Sequence, residues 1–177
     1  MVTTNSSREL DRMRYTVANC ALGRVLIAAS ERGVCCVRLG DSGRRLISDL
    51  KREFPSAGLR EDAPALADLA QRVVAAIDGG AADAEIPLDV RGTAFQLRVW
   101  DALRRIPRGE TRTYSQLAAA IRQPRAVRAV AGACAANPVA VLIPCHRALR
   151  SDGGLGGYRW GLERKQSLLA SEGSRLL

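Results

Sequence analysis

Residues 113–147 read TYSQLAAAIRQPRAVRAVAGACAANPVAVLIPCHR. Thr113 stands where a helix cap is needed, ahead of Leu117, Ala118 and Ile121, so a helix is expected over Tyr114–Arg122. Pro124 suits the first turn of a second helix, about Arg125–Ala136, and Asn137-Pro138 ends it. Two short helices across a tight break predict a helix-turn-helix. The second of them is nearly bare: Ala126, Ala129, Ala131, Gly132, Ala133, Ala135 and Ala136 leave Arg125 and Arg128 as its long polar side chains. Reading base edges takes several long donors and acceptors. This helix instead suits close approach to a nucleic acid without sequence choice, although small residues serve tight helix packing equally well.

Outward from that stretch, Thr93 is placed to cap a helix carrying Phe95, Val99, Trp100 and Leu103, and Ile106-Pro107-Arg108-Gly109 marks a turn. Val139–Ile143 is an apolar run expected to be buried. Gly153, Gly154, Gly156 and Gly157 make a loop before a last helix at Leu162–Glu172. The first half has a different texture. Arg14–Asn19, Gly23–Ser30 and Gly33–Leu39 read as three short strands in a meander. Arg44–Glu53 and Ala65–Ile77 carry helical periodicity, and Gly79-Gly80 stops the second. Residues 81–92 read as a linker with a short extended piece at Ile86–Leu88. The expected organisation is a flexible start over 1–13, an α/β domain over 14–91 and a mainly helical domain over 92–177.

At 177 residues the chain can bury a core without metal or disulfide staples. No apolar run is long enough to cross a membrane, and Met1–Met13 lacks the apolar stretch of a secretory signal. Five cysteines without C-x-x-C spacing, and a single histidine, argue against a zinc site and for free thiols in a reducing compartment. The charge is lopsided. Residues 1–91 hold 13 basic and 13 acidic side chains; residues 92–177 hold 14 and 5, which together give the 27 and 18 of the whole chain and its net charge of +9. A polyanionic partner for the second half is one reading of that excess, and a solvated basic face is the other.

Cys145 lies between Pro144 and His146. A thiol becomes a strong nucleophile once ionised, and histidine is the usual base for ionising it. Neighbours in extended chain point to opposite sides, so a bridging water is the simple proton route. By itself a Cys-His dipeptide fits a buried structural cysteine as well. Lys165, Leu168, Leu169 and Glu172 share one face of the last helix. A buried Glu172 there orients a histidine as the third group of a triad does, with Lys165 holding the polar network; exposed charges flanking a Leu-Leu contact are the alternative.

Taken together, Gly92-Thr93-Ala94-Phe95-Gln96, Val99-Trp100, Ile106-Pro107-Arg108-Gly109, Thr113-Tyr114, Arg128-Ala129-Val130, Asn137-Pro138, Ile143-Pro144-Cys145-His146-Arg147 and Gly157-Tyr158 resemble the O6-alkylguanine–DNA alkyltransferases. The resemblance spans about 14–172. It implies a ribonuclease-H-like α/β domain followed by a winged-helix-like helix-turn-helix domain that binds DNA and accepts the alkyl group. It further implies direct-reversal repair of O6-alkylguanine, and of O4-alkylthymine, in double-stranded DNA. The protein would be a monomer that needs no cofactor or metal, works in the cytoplasm and at the nucleoid, and acts once.

Residue by residue, the resemblance makes Cys145 the acceptor, His146 the base acting through water, Glu172 its orienting partner and Lys165 a support. Tyr114 would attend the flipped nucleotide and Arg128 would fill the gap in the duplex. Ser115, Gln123, Gln96 and Ser151 would contact DNA, and Asn137 would hinge the recognition helix to the acceptor segment. Ala148, Tyr158 and Arg159 would line the pocket, with backbone carbonyls of Cys145 and Ala148 reading the guanine. Ala148 stands where valine is common, and Arg122 stands where glycine is common in the helix-turn-helix break. The regulatory metal-binding domain of longer members has no counterpart, which sets aside a gene-regulatory role. A lesion-binding module without an acceptor, a redox-sensing transcription regulator and a cysteine hydrolase are the competing classes. The presence of Cys145, the bare helix and the lack of an oxyanion-hole signature, respectively, argue against them.

Overall fold

The computed structural model describes residues 12–80 and 86–174, and it divides into two compact units, one through Arg91 and one from Gly92. Most of the stretch expected to be a flexible start, 1–11, lies outside the described residues, as do 81–85 of the linker.

In the first unit, strands β1 (Arg12–Cys20), β2 (Gly23–Ser30) and β3 (Gly33–Gly40) form the antiparallel meander. β1 starts two residues earlier than the apolar alternation indicates. Met13 is fully buried, so Arg12 and Met13 belong to the strand and not to a flexible start. The reason is a strand that the sequence reading did not find. β4 (Gly58–Glu61) pairs parallel with β1, Arg12 opposite Gly58 and Tyr15 opposite Glu61. The sheet is therefore mixed, in the order β3-β2-β1-β4, and not wholly antiparallel. β4 holds one apolar residue, Leu59, in four, which is too little periodicity to register as a strand.

Val25 to Ala29 are buried in unbroken succession, so both faces of β2 are covered. Helix α1 (Gly43–Glu53) lays Leu46 and Leu50 against Met13, Tyr15, Leu26 and Ala28. Its start is capped by Ser42, whose Oγ accepts from the Arg45 amide. Cys35 and Cys36 are neighbours in sequence yet lie in this same cluster. A bulge explains it: Ala28 pairs with Cys36 and Ala29 with Val34, leaving Cys35 as the extra residue. Helix α2 (Ala67–Ile77) packs on β1 and ends at Gly79, with φ +102, while the Gly80 amide donates to the Ala75 carbonyl at 2.8 Å.

Residues 86–90 are fixed, not linker-like. Val34 N–H donates to Pro87 O and Asp89 N–H to Val34 O, both at 2.9 Å. Buried Asp89 accepts from Ser30 Oγ at 2.7 Å and pairs with Arg32 at 3.0 Å. Gly33 permits this approach, because a Cβ there would lie 2.4 Å from the Pro87 oxygen.

The second unit begins with α3 (Ala94–Arg104). Thr93 and Gln96 close a capping box at its start. Thr113 and Gln116 build another at α4 (Tyr114–Ala120). α5 (Val127–Ala135) starts two residues later than expected, and Pro124 lies in the turn before it, not in its first turn. The reason is the tail of α4: the Arg122 and Gln123 amides donate back to Ala119 and Ala118 at 2.9 Å, and Gln123 O then accepts the Ala126 amide. The core joins Val99, Trp100 and Leu103 to Leu117, Val130 and Ala133, and Trp100 Nε1 donates to Ala133 O at 2.8 Å. Beyond α5 the buried run Val139–Ile143 leads into a 3-10 turn at Cys145–Arg147, then β6 (Ala148–Leu149) and, after the glycine loop, α6 (Leu162–Ser171). β6 pairs parallel with β5 (Arg112–Thr113).

The α4 tail is a Schellman motif with an unusual occupant. Arg122 takes the left-handed position, φ 59, normally given to glycine. A side chain there carries strain of about 1 kcal/mol. Arg122→Gly should therefore raise the unfolding free energy by up to about 1 kcal/mol, a shift of a few degrees in Tm. Calorimetry checks this, and an unchanged or lowered Tm would mean that contacts of the arginine outweigh the strain.

Candidate functional site

Cys145 sits in the 3-10 turn with 4% of its surface exposed. The turn is shaped by the fully buried Asn137. Its Nδ2 donates to Ile143 O at 2.8 Å and to Cys145 Sγ at 3.2 Å, and its Oδ1 accepts the Val139 amide at 2.9 Å. One side chain thus ties the end of α5 to the acceptor segment and also faces the sulfur. Burial pushes the Cys145 thiol up to about 11, against the opposing effects of the Asn137 hydrogen bond and of nearby Lys165 and Arg159. At neutral pH it rests as the thiol.

His146 is wholly buried, its Nε2 2.9 Å from Glu172 Oε1. Burial lowers its pKa, though Glu172 pulls the other way. A neutral ring beside a carboxylate carries its proton on Nε2, leaving the lone pair on Nδ1. His146 Nδ1 has no hydrogen-bond partner among the described residues. Glu172 sits at the C-terminal cap of α6. Arg147 grips the same carboxylate, Nε to Oε2 at 2.9 Å and Nη2 to Oε1 at 2.8 Å, and its Nη1 donates to Ile106 O at 2.6 Å. Burial opposes ionisation of Glu172, but the hydrogen bonds from His146 and Arg147 outweigh it and bring its pKa down to about 2.

Arg147 has no role in the sequence reading. The signal was available: a guanidinium directly after a buried apolar run requires a buried anion, and only five acidic residues lie beyond residue 91. Lys165 is fully buried on α6 and faces carbonyls, not a carboxylate. Its Nζ donates to Ala148 O at 2.6 Å and to Leu155 O. Burial lowers its pKa to about 8, against the pull of the Cys145 and Cys134 thiols.

The parallel pair β5–β6 sets Thr113 beside Leu149 and so brings Tyr114 to the acceptor turn. Burial raises the Tyr114 phenol to about 12, helped by the Cys134 and Cys145 sulfurs. Gly156, with φ +66, lies against that ring; a Cβ there would be 2.7 Å from the Tyr114 hydroxyl. Tyr158 stacks edge-on with His146 at 6.5 Å and with Trp160 at 5.1 Å, and its buried hydroxyl has no partner among the described residues. Ala148 is fully buried and Arg159 is exposed. Cys145, His146, Glu172, Lys165, Asn137, Tyr114, Tyr158 and Ala148 are thus linked in one network by these contacts and by the β5–β6 pairing.

Of the residues expected to contact DNA, Tyr114 belongs to that network. Arg128 on α5, Ser115 in the first turn of α4, Gln123 and Ser151 are exposed. Gln96 is half-buried, with its side-chain oxygen accepting the Thr93 amide at 2.8 Å in the capping box. Among the described residues no group of three or more histidines, cysteines or carboxylates could hold a metal, and no helix is long and apolar enough to cross a membrane.

Two family models match, together covering nearly the described chain: the 6-O-methylguanine DNA methyltransferase ribonuclease-like domain over 13–90, and the DNA binding domain of the same description over 94–174. The chain is 53% identical over 165 residues to the bifunctional transcriptional activator/DNA repair enzyme Ada of Escherichia coli, covering 90% of this chain and 45% of that one. It thus spans about half the length of that relative, and 46% of the Salmonella typhimurium regulatory protein ada. It is 37% identical to a methylated-DNA–protein-cysteine methyltransferase of Methanosarcina barkeri, covering 93% of this chain and 99% of that one. Among solved structures, Mycobacterium tuberculosis OGT in complex with DNA superposes with a TM-score of 0.74 at 32% identity, covering 92% of each chain.

The Glu172 shift has a consequence for stability. Its folded pKa of about 2 lies below the ordinary unfolded value of about 4.3. The carboxylate's contribution is therefore complete above about pH 4.3 and is lost as pH falls through about 2, on the order of 3 kcal/mol in all. Urea midpoints should drop across that window in the unmodified protein. Glu172→Gln should start lower and fall less steeply.

Proposed function

Because the chain belongs to the 6-O-methylguanine DNA methyltransferase family, we propose that it repairs alkylated DNA by moving the alkyl group from O6 of guanine to Sγ of Cys145. The observation that carries this reading is the chain of contacts from Glu172 through His146 to an open Nδ1 lone pair, beside a thiol steadied by Asn137. The thiol proton passes through a bridging water to His146 Nδ1, and Glu172 holds the resulting imidazolium. Sulfur attacks the alkyl carbon in line, the C–S bond forms and the C–O6 bond breaks. The electron pair leaves with the guanine, which takes up a proton with the Tyr114 hydroxyl as the donor at hand; the proton held on His146 is released to water and water returns one to Tyr114, so both groups end as they began. Thiol and alkylated base thus become thioether and free guanine, with no cofactor required. A thioether has no leaving path in this site, so each molecule acts once.

Lys165 holds the Ala148 and Leu155 carbonyls that bound the pocket loop. The Ala148 oxygen has one lone pair taken by Lys165, and the second is the one left to read guanine. Tyr158 and Arg159 line the pocket. Arg128 enters the duplex and fills the gap as the base turns out; Ser115, Gln123, Gln96 and Ser151 contact the DNA around it. The net charge of +9 over 92–177 supports a phosphate-led interaction with little sequence choice. The meander with a fourth strand parallel to β1 supports a ribonuclease-H-like first domain, and the pair α4–α5 supports a winged-helix type of DNA-binding domain. Five free thiols fit a reducing, cytoplasmic setting, and the protein acts as a monomer on O4-alkylthymine as well.

Incubation with O6-methylated duplex should add one methyl mass per chain, on the Cys145 peptide, and then stop. Repeated turnover would exclude the single-use mechanism. A second measurement separates extrusion from chemistry. Arg128→Ala should slow repair of duplex by tenfold or more relative to attack on free O6-alkylguanine, because the free base needs no unstacking of a few kcal/mol. Glu172→Gln should slow both substrates alike. An unchanged duplex-to-base ratio in Arg128→Ala would return that residue to ordinary phosphate contact.

A further inference from the structure

Away from the acceptor, a cavity of about 490 Å³ opens between α3 and α4. Arg98, Asp101, Ala102 and Arg105 lie at i, i+3, i+4 and i+7 and give it one wall. Gln116, Leu117, Ala120 and Ile121 give it the other, and Ile106 closes the end. The floor is apolar. The rim is Arg98, Arg105, Arg112 and Arg122, with Asp101 as the one acidic residue that lines it. Arg105 is occupied by Asp101 at 2.6 Å and Arg112 by Glu110 at 2.7 Å. Arg98 and Arg122 are exposed and form no ion pair among the described residues.

Arg122 is the informative member. It holds a left-handed backbone position that glycine would fill without strain. Strained backbone persists where the side chain it carries is used. Its place on the rim, opposite Arg98, supplies the use: two uncompensated cations flanking an apolar floor.

We propose that the α3–α4 groove docks an acidic amphipathic segment of a partner protein, with apolar side chains against Leu117, Ile121 and Ile106 and carboxylates on Arg98 and Arg122. A helix laid in a groove by spaced apolar anchors is a common form of such recognition. A nucleic-acid backbone would meet the arginines but has no apolar side chains to cover the floor. Ser115 and Gln123, assigned to DNA contact, neighbour Gln116 and Arg122 in sequence, while none of the residues assigned to alkyl transfer lines the groove.

The test uses the full chain, 15N-labelled, and a synthetic probe peptide of about 14 residues with leucines at i, i+3, i+7 and i+10 and glutamates between. Amide shifts should concentrate at Arg98, Ala102, Gln116, Ala120 and Arg122. The double variant Arg98→Glu/Arg122→Gly should weaken binding by about tenfold or more, and replacing the leucines of the peptide by serine should weaken it by about fivefold or more. The glycine substitution relieves strain, so loss of folding does not confuse the result. Absence of shifts at millimolar peptide would overturn the proposal. Equal binding of the serine peptide would overturn it too, reducing the effect to diffuse charge attraction. If duplex DNA shifts the same amides and the double variant loses DNA affinity in proportion, the groove is a phosphate surface and the proposal is wrong.

Discussion

One buried carboxylate organises the second unit. Glu172 stands at the end of α6, takes both prongs of Arg147 and faces Nε2 of His146. An anion removed from water is expensive unless its lone pairs are met by good donors, and here every donor comes from the acceptor turn. The third arm of Arg147 reaches the Ile106 carbonyl just after α3. A single guanidinium thus fixes the turn against two helices, and the turn carries Cys145. Loss of any member would leave a charge without its counterpart inside the protein. Against its own protonated form the ionised Glu172 stabilises the fold by about 3 kcal/mol, but against apolar residues of the same volume such a buried pair contributes geometry more than stability.

From that anchor the rest of the pocket follows by helical spacing. Lys165 is seven residues before Glu172, two turns back on the same face of α6. It therefore arrives on the same side of the unit and meets the carbonyls of Ala148 in β6 and of Leu155 within the glycine loop. An ammonium with only carbonyl partners is costly to keep charged, which is why its pKa falls to about 8. That charge has a use when the sulfur ionises. The Asn137 N–H and Lys165 are then foremost among the groups that favour the thiolate over the thiol.

Much of this was legible in the chain, and the gaps have physical causes. The caps at Thr93 and Thr113, each with glutamine three residues on, announced α3 and α4. The i, i+7 relation of Lys165 and Glu172 put them on one helix face before any coordinates. β4 was illegible because the parallel edge strand Gly58–Glu61 holds one apolar side chain, the half-buried Leu59. The segment 86–90 looked like a linker because its attachment is made by backbone hydrogen bonds and by Asp89, a charged residue whose burial depends on Ser30 and Arg32 far away in sequence. The start of α5 was misplaced because proline at a first turn and proline in the turn before a helix give the same local signal. The role of Arg147 is hidden within the Pro-Cys-His-Arg run because the carboxylate that takes its charge, Glu172, lies 25 residues away.

The burial of Cys145 can be weighed as protection. A thiol displaced to about 11 and nearly closed to solvent is almost wholly protonated at neutral pH, and oxidants and stray electrophiles react with the thiolate. Under the single-use transfer proposed for Cys145, each adventitious reaction would remove a whole protein molecule. A permanently ionised sulfur would gain intrinsic reactivity and lose its reserve. In the transfer proposed above, pairing a high resting pKa with a histidine base would separate the two demands: the sulfur would stay inert until an alkyl carbon occupied the position in line with it, and the proton would leave as the bond formed. In that transfer burial would also act as the selector, because only a base turned out of the duplex could carry its carbon to a sulfur at this depth. Cys36 makes the contrast within the same chain. It too is fully buried, but its neighbour is the Arg38 guanidinium at 3.1 Å, with no histidine base beside it and no acceptor turn to open onto a substrate. Burial shelters both thiols, and of the two only Cys145 lies next to the His146–Glu172 pair on which the proposed relay rests.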